Sequence, residues 1–269
     1  MAIKDITLGQ YYPGDSVIHR LDARTKILAT VVFLVTLFLV NSFTGFVFCA
    51  LCLAGAIKIS GVPFKFMAKG LKAVVMIIVF TAVLNAFMIP GNVLWQWKFL
   101  KITDAGLYRA GFMVIRLILL ILGSSLLTLT TKPVALTDGL EKLFKPFGKI
   151  GLPAHELAMM MTIALRFIPT LLDETDKIMK AQTARGADFE SGNLKERAQG
   201  LVPLLVPLFV SAFRIAGDLA MAMEARCYRG GEGRTRMYAG GFGRKDAAAA
   251  ILMIIFVFIV VFSRGLNLI

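Results

Sequence analysis

Two arginines set the chemistry that this chain can do. Ala184-Arg185-Gly186 closes a helical pattern that begins at Pro153, and Ala225-Arg226-Cys227, forty-one residues further on, closes one that begins at Leu194. A polar, glycine-containing breaker follows each, GADFESGN after the first and YRGGEGRTR after the second. Each arginine therefore falls at a helix C-terminus, where the partial negative charge favours a cation and the breaker lets the guanidinium project outward. Arginine's planar fork never loses its charge and can hold a carboxylate through two parallel hydrogen bonds. The residues alone leave two readings open. The pair is a docking device for acidic partners, or each arginine caps its own helix or holds a lipid phosphate.

Covalent and metal chemistry find no comparable support. The chain contains no G-x-x-x-x-G-K-[ST] phosphate-cradling loop. The glycines at 230, 231, 233, 240, 241 and 243 flank basic residues and follow no strand pattern, so they read as a cytoplasmic linker. His19 and His155 are the only histidines, and no His, Cys or carboxylate cluster has metal-site spacing. Cys49 and Cys52 share a C-x-x-C spacing inside an apolar run, which reads as packing, and three cysteines make no disulfide framework. Asp173, Glu174 and Asp176 belong to a solvated stretch. The expectation is a non-catalytic chain with no cofactor or metal of its own.

The elements that position the arginines must work in lipid. Of 269 residues 57% are hydrophobic and 17% charged, with a mean hydropathy of +0.74, more apolar surface than a soluble domain covers. The net charge of +13, from 30 Lys and Arg against 17 Asp and Glu, fits cytoplasmic loops of a membrane protein rather than nucleic-acid binding. The N-terminal stretch MAIKDITLGQYYPGDSVIHRLDARTK lacks a signal-peptide pattern and is expected to stay as a cytoplasmic arm. From Ile27 to Ile57 no charge occurs, and one helix over those 31 residues would measure about 46 Å against a hydrocarbon core of about 30 Å. The polar cluster Asn41-Ser42-Phe43-Thr44-Gly45 divides the run into a hairpin of two short helices. A basic loop (Lys58, Lys65, Lys69, Lys72) precedes a span from Ala73 to Pro90, and Trp95 and Trp97 in the next connection mark an interface. A fourth span runs from about Leu107 to Thr131. It carries Arg109 near its start and Arg116 deeper, where a functional role, snorkelling or a pair with a neighbouring helix are all open.

After Lys132 charges interrupt the apolar pattern. Pro133 to Phe147 predicts a short amphipathic helix, and the two arginine-terminated patterns predict helices of about 33 residues, about 50 Å each, bent by Pro169, Pro203 and Pro207. Ala247 to Ser263 is a closing span. The organisation expected is an N-terminal arm and membrane helices 1–4 over 1–131, a coupling domain with three amphipathic helices over 132–246, and a final transmembrane helix over 247–269. The fold class is an all-α integral membrane protein with about five transmembrane helices plus long cytoplasmic or interfacial helices. Counting the two long helices as spans gives seven, and either odd count puts the C-terminus outside.

YYPGDSVIHRLDARTKI, ALRFIPTLLDE and the two arginine triplets, in that order, resemble the transmembrane coupling component of energy-coupling factor (ECF) transporters nearly end to end. Two departures stand out: Ala23 replaces the usual proline of the N-terminal signature, and Cys227 ends the second triplet where glycine is common. The resemblance implies a membrane subunit in the bacterial or archaeal cytoplasmic membrane that joins two cytoplasmic ABC ATPases, which bind the ATP and Mg, to a small substrate-binding membrane subunit importing a vitamin or a metal ion. It assigns Ala184, Arg185, Gly186, Ala225, Arg226 and Cys227 to ATPase docking. Met159, Met160, Met161, Leu204, Leu205, Leu208, Met221 and Met223 are candidates for an adaptable face toward the substrate subunit, with ordinary core or lipid packing as the other reading. A self-sufficient secondary permease and a membrane scaffold without transport are the alternatives; neither an inverted repeat nor a midplane ionisable cluster supports the first.

Overall fold

The structure is a computed structural model, and it describes residues 11–40, 42–97, 100–150, 153–187, 189, 200–230 and 241–265. The expected N-terminal stretch 1–10, Asn41, most of both breakers and the glycine-rich 231–240 lie outside those residues. The described chain is helical apart from one small hairpin. It falls into two compact units: 11–139 with 241–265, and 140–230.

The first unit contains α1 (Ala23–Leu39), α2 (Phe43–Ser60), α3 (Phe64–Met88), α4 (Asp104–Thr130) and the last helix, α8 (Arg244–Gly265). The polar cluster breaks the long apolar run where its composition requires: α1 ends at an extended Val40, and Ser42 caps α2 by accepting a hydrogen bond from the Gly45 amide. α1 and α4 are antiparallel in a fixed register. Lys26 Nζ donates to Thr130 O (2.9 Å), the Phe33 ring lies 2.7 Å from where a Gly123 side chain would begin, and Arg116 Nη2 donates to Val40 O (2.8 Å). α1 thus reaches α4 only as far as Arg116, about 21 Å from the Thr130 end. α3 runs beside α4 from Gly70 at Ser125 to Ala86 at Gly106. The 17 residues of α1 therefore make a shorter element than the 25 and 27 of α3 and α4.

Arg116 is resolved in favour of the helix-pair reading. Its guanidinium satisfies the carbonyl at the end of α1, and the rings of Phe38, Phe46 and Phe112 surround it at 5.6–5.8 Å. A cation at a helix C-terminus with aromatic faces around it is stabilised by both dipole and ring quadrupoles. The core beneath is apolar: Phe33, Leu37, Phe46, Cys49, Leu122 and Phe256 are buried together, which bears out Cys49 as a packing residue.

The N-terminal signature ties three helix ends into one knot. Asp22 caps α1 by accepting from the Arg24 amide. The buried Asp246, in the first turn of α8, accepts from the Asp22 amide at 2.8 Å and, reaching back, from the Gly243 amide at 2.9 Å, so one carboxylate caps its own helix and binds the start of α1. Lys26 completes the knot by donating to His19 O (3.0 Å) as well as to the α4 end. His19 is held in turn by Ser16 and by Tyr12 O, and Arg20 pairs with the exposed Asp15, holding its carboxyl below the usual carboxylate range.

Between α3 and α4 the connection that carries the tryptophans is an antiparallel hairpin, β1 (Val93–Trp97) with β2 (Leu100–Thr103), rather than an irregular loop. α5 (Pro133–Phe144) is the short amphipathic helix, and a 3-10 turn (Lys145–Ile150) follows it in place of the continuation to Phe147.

The second unit is built on α6 (Ala154–Ala184) and α7 (Val202–Ala225). α6 has 31 residues, close to expectation, with Pro169 inside it. α7 has 24, about 36 Å, and Pro203 stands in its first turn, where the missing N–H costs nothing, so Pro203 starts the helix, while Pro207 lies inside it and removes a ladder bond. Six described helices are long and apolar enough to cross a membrane: α2, α3, α4, α6, α7 and α8. The protein is a multi-pass membrane protein; four of these helices belong to the first unit and two, α6 and α7, to the second, while α1, with 17 residues, is too short to be counted.

Candidate docking site at two helix ends

Both arginine triplets end their helices in one way. In α6 Ala184 is the last helical residue, Arg185 is the cap, and Gly186 turns left-handed at φ +90°. The Gly186 amide donates to Thr183 O and the Ala187 amide to Gln182 O, both at 3.0 Å. In α7 Ala225 is last, Arg226 is the cap, and Cys227 takes the left-handed position at φ +56°. The Cys227 amide donates to Glu224 O (2.8 Å) and the Tyr228 amide to Met223 O (3.0 Å). This paired 6→1 and 5→2 bonding is the Schellman termination, which uses the last free carbonyls of the helix and reverses the chain. The backbone thus satisfies both ends, and neither arginine is needed as a cap. Both guanidinium-bearing residues are exposed, and Cys227 alone among the described non-glycine residues has positive φ.

The two ends do not lie side by side. Tyr228 Oη donates to Met159 Sδ (2.9 Å), and Ser211 Oγ donates to Glu174 Oε1 (3.3 Å), which makes α6 and α7 antiparallel. Arg226 consequently lies at the level of Met159, near the start of α6, while Arg185 lies at the far end. From residue 159 to 185 the helix rises about 39 Å. The sequence brought the triplets together as a pair; the structure sets them at opposite ends of one helical hairpin.

The seam between the helices follows a helical period on α7. Leu204 and Ser211 are buried, and Leu208, Leu219 and Met223 are partly so. Of the candidates for an adaptable face, Met160, Met161, Leu205 and Met221 are exposed, whereas Leu204 is buried, and Met159, Leu208 and Met223 are half-buried along the seam. Sequence alone did not single out one exposed apolar stripe of this hairpin: Val206, Phe209, Val210 and Phe213, the last 75% exposed, continue the Leu205 face of α7. Their i, i+3, i+4 spacing was the available signal.

Near Arg226 the seam opens into a cavity of about 430 Å³ between α6 and α7, with Met159, Ile163, Leu219 and Met223 as walls and Arg226 and Arg229 among its lining. Arg229 was not singled out from sequence. No described group of three or more His, Cys, Asp or Glu side chains could hold a metal ion.

Comparison with known proteins gives the family. Residues 14–237, which contain α1 to α7 and both arginine triplets, match the CbiQ family model, described as a cobalt transport protein. The energy-coupling factor transporter transmembrane protein EcfT of Thermosediminibacter oceani is 63% identical over 249 residues, covering 93% of this chain and 94% of its own length. That of Clostridium kluyveri is 59% identical over 264 residues (97% and 98%), and that of Bacillus subtilis 48% over 259 (96% and 98%). Identity at this level over nearly the whole of both chains means that the chain belongs to the CbiQ family and is similar throughout to the transmembrane components of energy-coupling factor transporters.

Proposed function

We propose that this transporter component couples two cytoplasmic ABC-type ATPases, which bind the ATP and Mg, to a separate small membrane subunit that binds a vitamin or a metal ion for import. The observation that carries the reading is the pair of Schellman-terminated arginines at opposite ends of the α6–α7 hairpin. Caps are not required there, so the exposed cations are available to a partner. Lying along the cytosolic face of the membrane, as two cytoplasmic partners require, an antiparallel pair about 39 Å long presents them to two separate bodies rather than to one. The α7 stripe of Leu205, Phe209 and Phe213, with Met160, Met161 and Met221, supplies apolar contact for the substrate subunit.

Orientation follows from charge. The start of α1, the end of α2, the start of α3 and the end of α4 share one end of the first unit, and Lys58, Lys65, Lys69 and Lys132 lie there. By the positive-inside bias that end, with the N-terminal knot, faces the cytosol. Motion of the ATPases then moves two held tips, the hairpin between them tilts, and its apolar faces carry the substrate subunit with it.

Removing one partner of a desolvated charge pair costs about 2–5 kcal/mol, or roughly thirtyfold and more in affinity. Arg185→Glu and Arg226→Glu, singly and together, are expected to deplete the ATPases that co-purify with the tagged chain, the double variant most. Undiminished ATPase recovery with the double variant refutes docking through these ends. Uptake in proteoliposomes that needs no ATPase would instead assign the chain to secondary permeases.

A further inference from the structure

The cavity beside Arg226 is not explained by a cationic tip that simply inserts into a partner. Its walls are four apolar side chains, Met159 and Ile163 from α6 and Leu219 and Met223 from α7, and they come from consecutive turns (i, i+4) of each helix. At about 430 Å³ it is within the usual range for an occupied pocket and has room for a large side chain. Two exposed arginines, Arg226 and Arg229, line the same space, so its edge is cationic and its depth apolar. The Tyr228 hydroxyl, bonded to Met159 Sδ, fixes the chain that carries both arginines across the first turns of α6. The floor and rim are therefore tied to each other by that contact.

We propose that this cavity is a socket that receives, from one of the two ATPases, an apolar side chain flanked by carboxylates, so that the α7 end is plug and socket at once. The proposal rests on the docking reading above and adds to it a second direction of insertion. Charge complementarity selects the occupant. The rim offers two guanidiniums, which calls for more than one acid beside the inserted apolar group. In sequence the first triplet is followed at the equivalent position by Asp188, where the second has Arg229, so an acidic segment suited to the α7 end meets a like charge at the α6 end. The two ATPase contacts are thereby made non-interchangeable.

The test uses the full chain with its ATPases in nanodiscs, with a photo-crosslinking residue at the exposed Lys180 (α6 end) or Glu224 (α7 end). Leu219→Trp fills the socket and Arg229→Glu reverses its rim without touching packing. Each is expected to lower the ATPase adduct formed from position 224 at least tenfold while leaving the adduct from position 180 unchanged. Arg226→Glu and Arg185→Glu report on docking itself, each at its own end. If those two abolish their adducts while Leu219→Trp and Arg229→Glu leave the 224 adduct intact, the socket is refuted and docking stands. If the arginine reversals change nothing, docking fails first. Loss of both adducts by Arg229→Glu also overturns the proposal, since a local socket cannot act about 39 Å away.

Discussion

Replacing Asp246 tests whether the N-terminal signature is a structural knot. Its carboxylate is 4% exposed and accepts two amide hydrogen bonds, from Asp22 at 2.8 Å and Gly243 at 2.9 Å, while Lys26 lies near enough to feel its charge. A hydrogen bond to a charged group contributes about 1.5–3 kcal/mol, and its loss leaves a sequestered N–H without a partner, so Asp246→Ala should cost about 3–6 kcal/mol. Asp246→Asn retains one acceptor oxygen, and its amide nitrogen cannot accept from the second N–H. About half the loss is expected. At roughly 2–4 °C per kcal/mol for a chain of this size, the alanine variant should melt about 6–24 °C lower. Thermal unfolding in nanodiscs measures the total. Hydrogen exchange over residues 11–26 locates it, since the arm should lose protection before α3 and α4 do. A melting point within about 2 °C of wild type, or unchanged protection in the arm, would refute the knot.

The remaining predictions concern single backbone and packing positions. Cys227 holds a left-handed conformation that glycine adopts without the Cβ penalty, so Cys227→Gly should stabilise the α7 end by about 1 kcal/mol and Gly186→Ala should destabilise the α6 end by about as much, both read by thermal unfolding. Gly123→Ala places a methyl 2.7 Å from the Phe33 ring in the core and should cost about 1–3 kcal/mol, with Phe33→Leu in the same chain recovering part of it. Arg116→Met leaves Val40 O without its donor and should cost about 1–3 kcal/mol, whereas a purely lipid-facing arginine would give no loss.

Much of the fold was legible because lipid enforces simple patterns. The break at residues 40–42 followed from the polar cluster, and the ends of α6 and α7 followed from arginine and breaker together. The hairpin β1–β2 was missed although Val93, Trp95 and Trp97 alternate, because the tryptophans were read for where indole partitions rather than for strand propensity. The stretch from Leu194 to Gln199, which the sequence pattern gives to the same helix, lies outside the described residues, and α7 is described from Val202 with Pro203 in its first turn. The knot could not be read at all. Two of Lys26's partners are backbone carbonyls, one of them 104 residues away, and Asp22 meets a carboxylate 224 residues away; neither residue type nor local spacing records such contacts. The cavity is invisible for the same reason, since it depends on which turn of α6 faces which turn of α7.

That register also decides how a hairpin held at both ends can move. An α-helix resists compression along its axis because its hydrogen-bond ladder carries the load, so displacement of the tips must appear as rotation or as bending at weak points. α6 lacks one ladder bond at Pro169, and pairs 159 with 228 and 174 with 211 place that proline opposite a residue near 217 on α7. Gly217 stands there, with open space where its side chain would be. A weak point of each helix thus falls at one level, nearer the Arg226 end than the Arg185 end, and Pro207 inside α7 removes a ladder bond at a second level, opposite a residue near 178. A hairpin gripped at its tips yields at those two levels, and the segment between them, which carries Phe209 and Phe213, moves as one body. Phe213 and Phe209 lie about 6 and 12 Å along the helix from Gly217 and Arg226 about 14 Å on the other side, so the stripe moves with the tip, by an amount no larger than the tip's own.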